Sequence, residues 1–177
     1  MDYSGDRILL SNEREGQASR FRAWVVVAVA LGSILFQVYV PRQVPFVSFL
    51  EMPLLITVYF ALVRRSQVSG LLVGAAIGLA QDSLSPHPLG MFGINKTLVG
   101  YFAASVGVRI DVDHPVIRFL LCGFFYVFHQ VLYWLMTRAL LGQPMVLEWA
   151  RTGLEGLLNG VVGVALFLFL DRLRQRG

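Results

Sequence analysis

The chain has 177 residues, 56% of them hydrophobic and 15% charged, with a mean hydropathy of +0.64 and a pI near 9.6. That is too apolar for an ordinary soluble domain of this length and places the chain in a lipid bilayer. The basicity comes mainly from 14 arginines, which punctuate the apolar runs and are not gathered among exposed aromatics, and this argues against a nucleic-acid surface.

In chain order, residues 1–23 mix four arginines with four acidic side chains and carry no strong period, so they read as a cytoplasmic tail. Six apolar segments follow, at about 24–40, 44–63, 68–84, 91–108, 116–141 and 149–170. A helix rises about 1.5 Å per residue and the hydrocarbon core is about 30 Å thick, so each segment is read as one crossing. The third is short and ends in Asp82. The predicted fold is an all-α membrane protein, with six transmembrane helices in one compact bundle over residues 24–171 and a basic C-terminus at 172–177.

Arginine placement sets the expected orientation. Arg7, Arg14, Arg20, Arg22, Arg64, Arg65, Arg109, Arg118, Arg172, Arg174 and Arg176 fall on one side, against Arg42, Arg138, Arg151 and Lys96 on the other. Basic residues concentrate in cytoplasmic loops, so both termini are expected in the cytoplasm and the proline-rich 84–90 loop outside.

Two sets of residues stand out within the crossings. Gly70, Gly74 and Gly78 form a ladder at every fourth position, and Gly93, Gly100 and Gly107 recur at every seventh. Helices in lipid associate through close van der Waals contact, which small residues permit, so these faces either pack the bundle or receive a partner helix. The second set is polar: Glu51, Asp82, Asn95, Lys96, His129, Glu155 and Asn159, with Gln37 and Gln130 nearby. At helical rise these residues fall in the outer half of the bilayer or near its midplane. Polar groups at such depth are costly, so they either pin the helices through hydrogen bonds and ion pairs or line a pocket open to the outer face. A direct contact between Asp82 and Lys96 is expected across the hairpin that joins the third and fourth crossings.

Catalytic patterns are missing. There is no GxSxG elbow, HExxH pair or Walker-type phosphate loop, and Cys122 alone makes neither a disulfide nor a cysteine metal cluster. A pair of membrane carboxylates such as Glu51 and Asp82 could share a proton and activate water. Pro53, two residues after Glu51, more simply marks an irregular helix start. No enzyme activity and no cofactor or metal are expected.

The stretch from Gly78 to Tyr101 carries a resemblance. Gly78, Asp82, Ser85, Pro88-Leu89-Gly90 and Leu98-Val99-Gly100-Tyr101 follow the pattern of the rod shape-determining membrane proteins called MreD. In that family a glycine-rich helix ends in Asp before an S-x-x-P-L-G loop. Pro86-His87 departs from that loop pattern. The resemblance implies a non-enzymatic scaffold of the bacterial cell-elongation and peptidoglycan-synthesis machinery, multi-pass in the cytoplasmic membrane. Its implied partners are MreC, a RodA-type glycosyltransferase, a class B penicillin-binding protein, MreB and membrane lipid; homo-oligomers stay open, and nucleic acid is not expected. The family fold is similar to that of the substrate-binding subunits of energy-coupling-factor transporters. A vitamin-type small-molecule-binding subunit is therefore the alternative function.

Overall fold

The computed structural model describes residues 23–86 and 88–173; the tail 1–22, His87 and residues 174–177 lie outside the described residues. The described chain is all-α, with six helices: α1 Ala23–Gln43, α2 Met52–Arg64, α3 Gln67–Leu84, α4 Met91–Gly107, α5 Pro115–Leu140 and α6 Trp149–Leu173. Three of them, α1, α5 and α6, are long and apolar enough to cross a membrane. We call the end bearing residues 44–51, 88–90 and 141–148 the top, and the end bearing residues 65–66 and 108–114 the bottom.

The second helix corrects the expected crossing at 44–63. Residues Pro45–Val47 form a 3-10 turn, and α2 begins only at Met52, with Pro53 in its first turn. Proline costs about 3 kcal/mol in a helix interior but is tolerated at the first turn, so Pro53 fixes where this helix can start. The result is a helix of 13 residues, about 20 Å long. It ends at Arg65 in a left-handed conformation, whose N–H returns to the Ala61 carbonyl.

This short helix is the centre of the molecule. Every residue from Pro53 to Leu62 is buried, and α2 packs against each of the other five helices. A helix apolar on all sides belongs inside a bundle, and here Leu54, Leu55, Val58, Tyr59 and Leu62 are each 0% exposed. The surrounding helices turn large apolar side chains outward, among them Leu31, Leu72, Phe102, Phe124, Leu157 and Leu168. Such a continuous apolar exterior suits lipid, not water.

The closest helix pair is the α3–α4 hairpin. Gly70, Gly74 and Gly78 lie directly against the backbone carbonyls of Gly100, Lys96 and Phe92, so a Cβ at any of the three would overlap main chain. Gly93 faces the Leu79 side chain, and Gly107 the Leu62 carbonyl. A partner helix on the Gly74–Gly78 face would have to displace α4. On the α5–α6 side, Gly156 and Gly160 meet Gly123 and Phe119, whereas Gly153 has open space around it.

Candidate functional site

Glu51, Asn95, Lys96, His129 and Asn159 converge below the top of the bundle. The centre is Lys96, on the second turn of α4 and 0% exposed. Its Nζ lies 3.9 Å from Glu51 Oε2, 3.5 Å from His129 Nε2 and 4.7 Å from the centroid of the Phe92 ring. Next to it, Asn95 Nδ2 donates to the His129 carbonyl at 3.0 Å, tying α4 to α5. Phe92 in turn stacks on His129 and Tyr133. One ion pair thus joins α2 to α4, and one amide joins α4 to α5.

Asn159 acts through the backbone of the segment before α2. The Glu51 N–H donates to Asn159 Oδ1 at 3.0 Å, and Asn159 Nδ2 donates to the Phe49 carbonyl at 2.8 Å. The Met52 N–H donates to Gln37 Oε1 at 3.2 Å. Irregular backbone at membrane depth persists only where protein supplies its hydrogen bonds. Asn159 on α6 and Gln37 on α1 supply them, and so let a helix of 13 residues start below the level of its neighbours' ends.

Asp82 has a different role from the one expected. Its carboxylate accepts from the backbone N–H groups of Gly90 at 3.0 Å, Phe92 at 3.0 Å and Gly93 at 2.8 Å. Gly90 precedes α4 with φ +95°, a left-handed turn that aims these free amides back at the end of α3. A carboxylate at a helix N-terminus satisfies orphan donors and complements the helix dipole. The expected Asp82–Lys96 contact is therefore replaced: Asp82 caps α4, and Lys96 pairs with Glu51. The two carboxylates considered for a shared proton go to separate partners.

Glu155 closes a smaller group on α5 and α6. Its Oε2 accepts from the Tyr126 hydroxyl at 2.8 Å, which itself accepts from Gln130 Nε2 at 2.9 Å. Its Oε1 accepts from Arg151 Nε at 2.9 Å, and its carbonyl accepts from Asn159 Nδ2 at 2.9 Å. The i, i+4, i+8 stripe of Arg151, Glu155 and Asn159 is thus one hydrogen-bonded row.

At the bottom lies a network that sequence reasoning missed. Arg118 was counted among loop arginines that hold topology, but it sits in the first turn of α5 and is 5% exposed. Its Nε donates to the Val112 carbonyl at 2.7 Å, its Nη1 to Asp171 Oδ2 at 2.6 Å, and its Nη2 lies 3.5 Å from Asp113 Oδ1. Asp171 Oδ1 accepts from the Tyr59 hydroxyl at 2.9 Å, so α2, α5 and α6 meet there. The one available signal was Asp171 itself, an acid closing the apolar run of α6.

Chemically, these groups bind helices to each other. Among the described residues no group of three His, Cys, Asp or Glu side chains could hold a metal ion. A groove of about 290 Å³ opens between the ends of α1 and α3, lined by Gln37, Val38, Pro41, Arg42, Leu84, Ser85 and Pro86. It does not include Glu51, Lys96 or His129 in its walls. No curated protein and no solved structure matches the chain. A family model described as rod shape-determining protein MreD matches residues 19–176, nearly the whole length, and the chain belongs to the MreD family of shape-determining membrane proteins.

Proposed function

We propose that this protein is a non-enzymatic scaffold of the cell-elongation machinery, built from six crossings of the cytoplasmic membrane with both termini in the cytoplasm. The observation that carries this reading is the MreD match over residues 19–176. The top of the bundle, with Asp82, Lys96 and Glu51 beneath it, then faces outward, and the Arg118–Asp171 network faces the cytoplasm. The arginine distribution supports that orientation. The partner bound is MreC, and through it a RodA-type glycosyltransferase, a class B penicillin-binding protein and MreB are organised around one site of wall synthesis. Docking falls to the lipid-facing side chains, because the glycine ladder of α3 is occupied by α4.

The test is replacement in rod-shaped cells depleted of their own MreD, combined with affinity purification of this chain. Restored rod shape and co-purification of MreC are expected. Rod shape without MreC in the purified complex overturns the scaffold reading. The competing vitamin-binding reading is decided on the same preparation: a ligand at 100 times its Kd stabilises by about 2.7 kcal/mol, so a thermal shift with any vitamin favours it.

A further inference from the structure

Among the described residues, Lys96, Arg151, Arg42 and Arg138 are the basic side chains of the top half, and the first two face carboxylates. Arg42 and Arg138 lie instead over aromatic rings, Arg42 over Tyr39 at 5.8 Å and Arg138 over Trp134 at 5.6 Å, with no carboxylate in ion-pair reach among the described residues. Tyr and Trp concentrate at the level of the lipid headgroups, so these two pairs mark where the bilayer surface meets the top of the bundle. Arg42 differs from Arg138 in one respect: it lines the groove of about 290 Å³ between the ends of α1 and α3.

The polar part of that groove is rich in donors. Arg42 brings a guanidinium, Ser85 a hydroxyl, and Gln37 its amide N–H groups, since Gln37 Oε1 already accepts from the Met52 N–H. Among the described residues no carboxylate lines the groove, and Asp82, one turn before Ser85, is engaged by three backbone amides. The rest of the wall is apolar, with Val38, Pro41 and Leu84. A ring attracts a cation through its face, whereas a guanidinium grips phosphate through the N–H fork in its own plane, so the Tyr39 contact and an anion do not compete for the same donors. Charge decides between headgroups: a zwitterionic one brings an ammonium that meets a cation and no carboxylate, and an anionic one does not.

We propose that the groove between α1 and α3 binds the headgroup of an anionic glycerophospholipid. The phosphate accepts from Arg42 and Ser85, the headgroup hydroxyls meet the Gln37 amide, and the start of an acyl chain lies on Val38 and on Leu84, which is half exposed. The volume is at the small end of ligand sites, which suits a headgroup whose chains stay in the bilayer. The site requires only that the top of the bundle lie at a bilayer surface. It therefore stands whichever leaflet that is, and whether or not the chain binds MreC.

Photolabelling of the full chain in phosphatidylcholine nanodiscs tests it. The probe is phosphatidylglycerol with a diazirine early in one acyl chain, present as a minor component, and the comparison is phosphatidylcholine carrying the same diazirine. Peptide mass spectrometry after illumination reads the labelling of residues 37–42 and 84–86. The phosphatidylglycerol probe is expected to label these segments several-fold more than the phosphatidylcholine probe. Arg42→Gln, at an exposed side chain, is expected to erase that difference, and Arg138→Gln to leave it intact. Equal labelling by the two probes in the wild type overturns the proposal and leaves an ordinary lipid shell. A preference that persists in Arg42→Gln overturns it too, and an equal loss in Arg138→Gln assigns the preference to the charge of the whole top surface and not to the groove. Glycerol phosphate at millimolar concentration in the aqueous phase is expected to leave the labelling unchanged; if it abolishes the preference, the occupant is a soluble phosphate and the lipid is overturned.

Discussion

Among the described residues two cations, Lys96 and Arg118, are buried, and they are held in opposite ways. At the bottom, Arg118 has three directed partners: the Val112 carbonyl, Asp171 and Asp113. Its acceptor Asp171 is shared with Tyr59, so the network links three helices. At the top, Lys96 has one carboxylate at 3.9 Å, a ring nitrogen at 3.5 Å and an aromatic face. The difference reflects the two side chains. A guanidinium is a rigid fork that engages several acceptors in one plane, whereas an ammonium is a compact, strongly hydrated point charge on a flexible stem. The bottom network is therefore a lock, and the top one a looser joint around the start of α2.

Removing one partner from each network separates lock from joint. At the bottom, Asp171→Ala leaves Arg118 enclosed with only Asp113 and a carbonyl, and we expect a loss of about 3–5 kcal/mol, the usual cost of stranding a buried charge. Unfolding in mixed micelles, followed by tryptophan fluorescence, measures it. The double variant Arg118→Met with Asp171→Leu should recover most of that loss, because apolar replacement of a whole buried pair is often neutral.

The next effect belongs to Asn159. Asn159→Leu removes the hydrogen bonds its amide makes to the Glu51 N–H and the Phe49 carbonyl, together about 1–3 kcal/mol. Hydrogen exchange should show the Glu51 amide losing protection while amides in the centre of α2 keep theirs. Lys96→Met follows, at about 1–3 kcal/mol, below Asp171→Ala because the Glu51 carboxylate keeps some solvent. If Lys96→Met is as damaging as Asp171→Ala in the same micelles, the top is a lock as well and the contrast between the networks fails.

These networks also show what could be read in advance. Hydropathy alone placed six helices, because apolar runs in lipid have few alternatives to a helix. It misplaced the start of α2, because residues 44–50 are as apolar as the helix that follows; the proline at 53 was the marker that mattered. That Asn95, Lys96, His129 and Asn159 would be buried was legible, since polar groups in apolar runs must find partners. Which partner each takes was not. Asp82 and Lys96 flank one hairpin and have opposite charges, so the linear sequence pairs them. The positive φ at Gly90 exposes three amides that take the carboxylate first. Arg118 was hidden for a different reason. Counting it with the loop arginines explained it fully, and nothing in linear spacing connects it with Tyr59 or Asp171.

The smallest expected effect tests whether burial, and not charge pairing as such, ranks these contacts. Arg151 and Glu155 make the shorter ion pair, 2.9 Å against 3.9 Å for Lys96 and Glu51, yet the Arg151 side chain is 69% exposed. An exposed i, i+4 pair contributes little, since water replaces the lost partner. Glu155 also keeps the Tyr126 hydroxyl when Arg151 is removed. Arg151→Gln should therefore leave the midpoint of unfolding unchanged in the same micelle assay. A loss as large as that of Lys96→Met would mean that geometry outweighs enclosure in this bundle. The ranking of the other three variants would then have to follow distance, with Lys96, the longest pair, moving to the bottom.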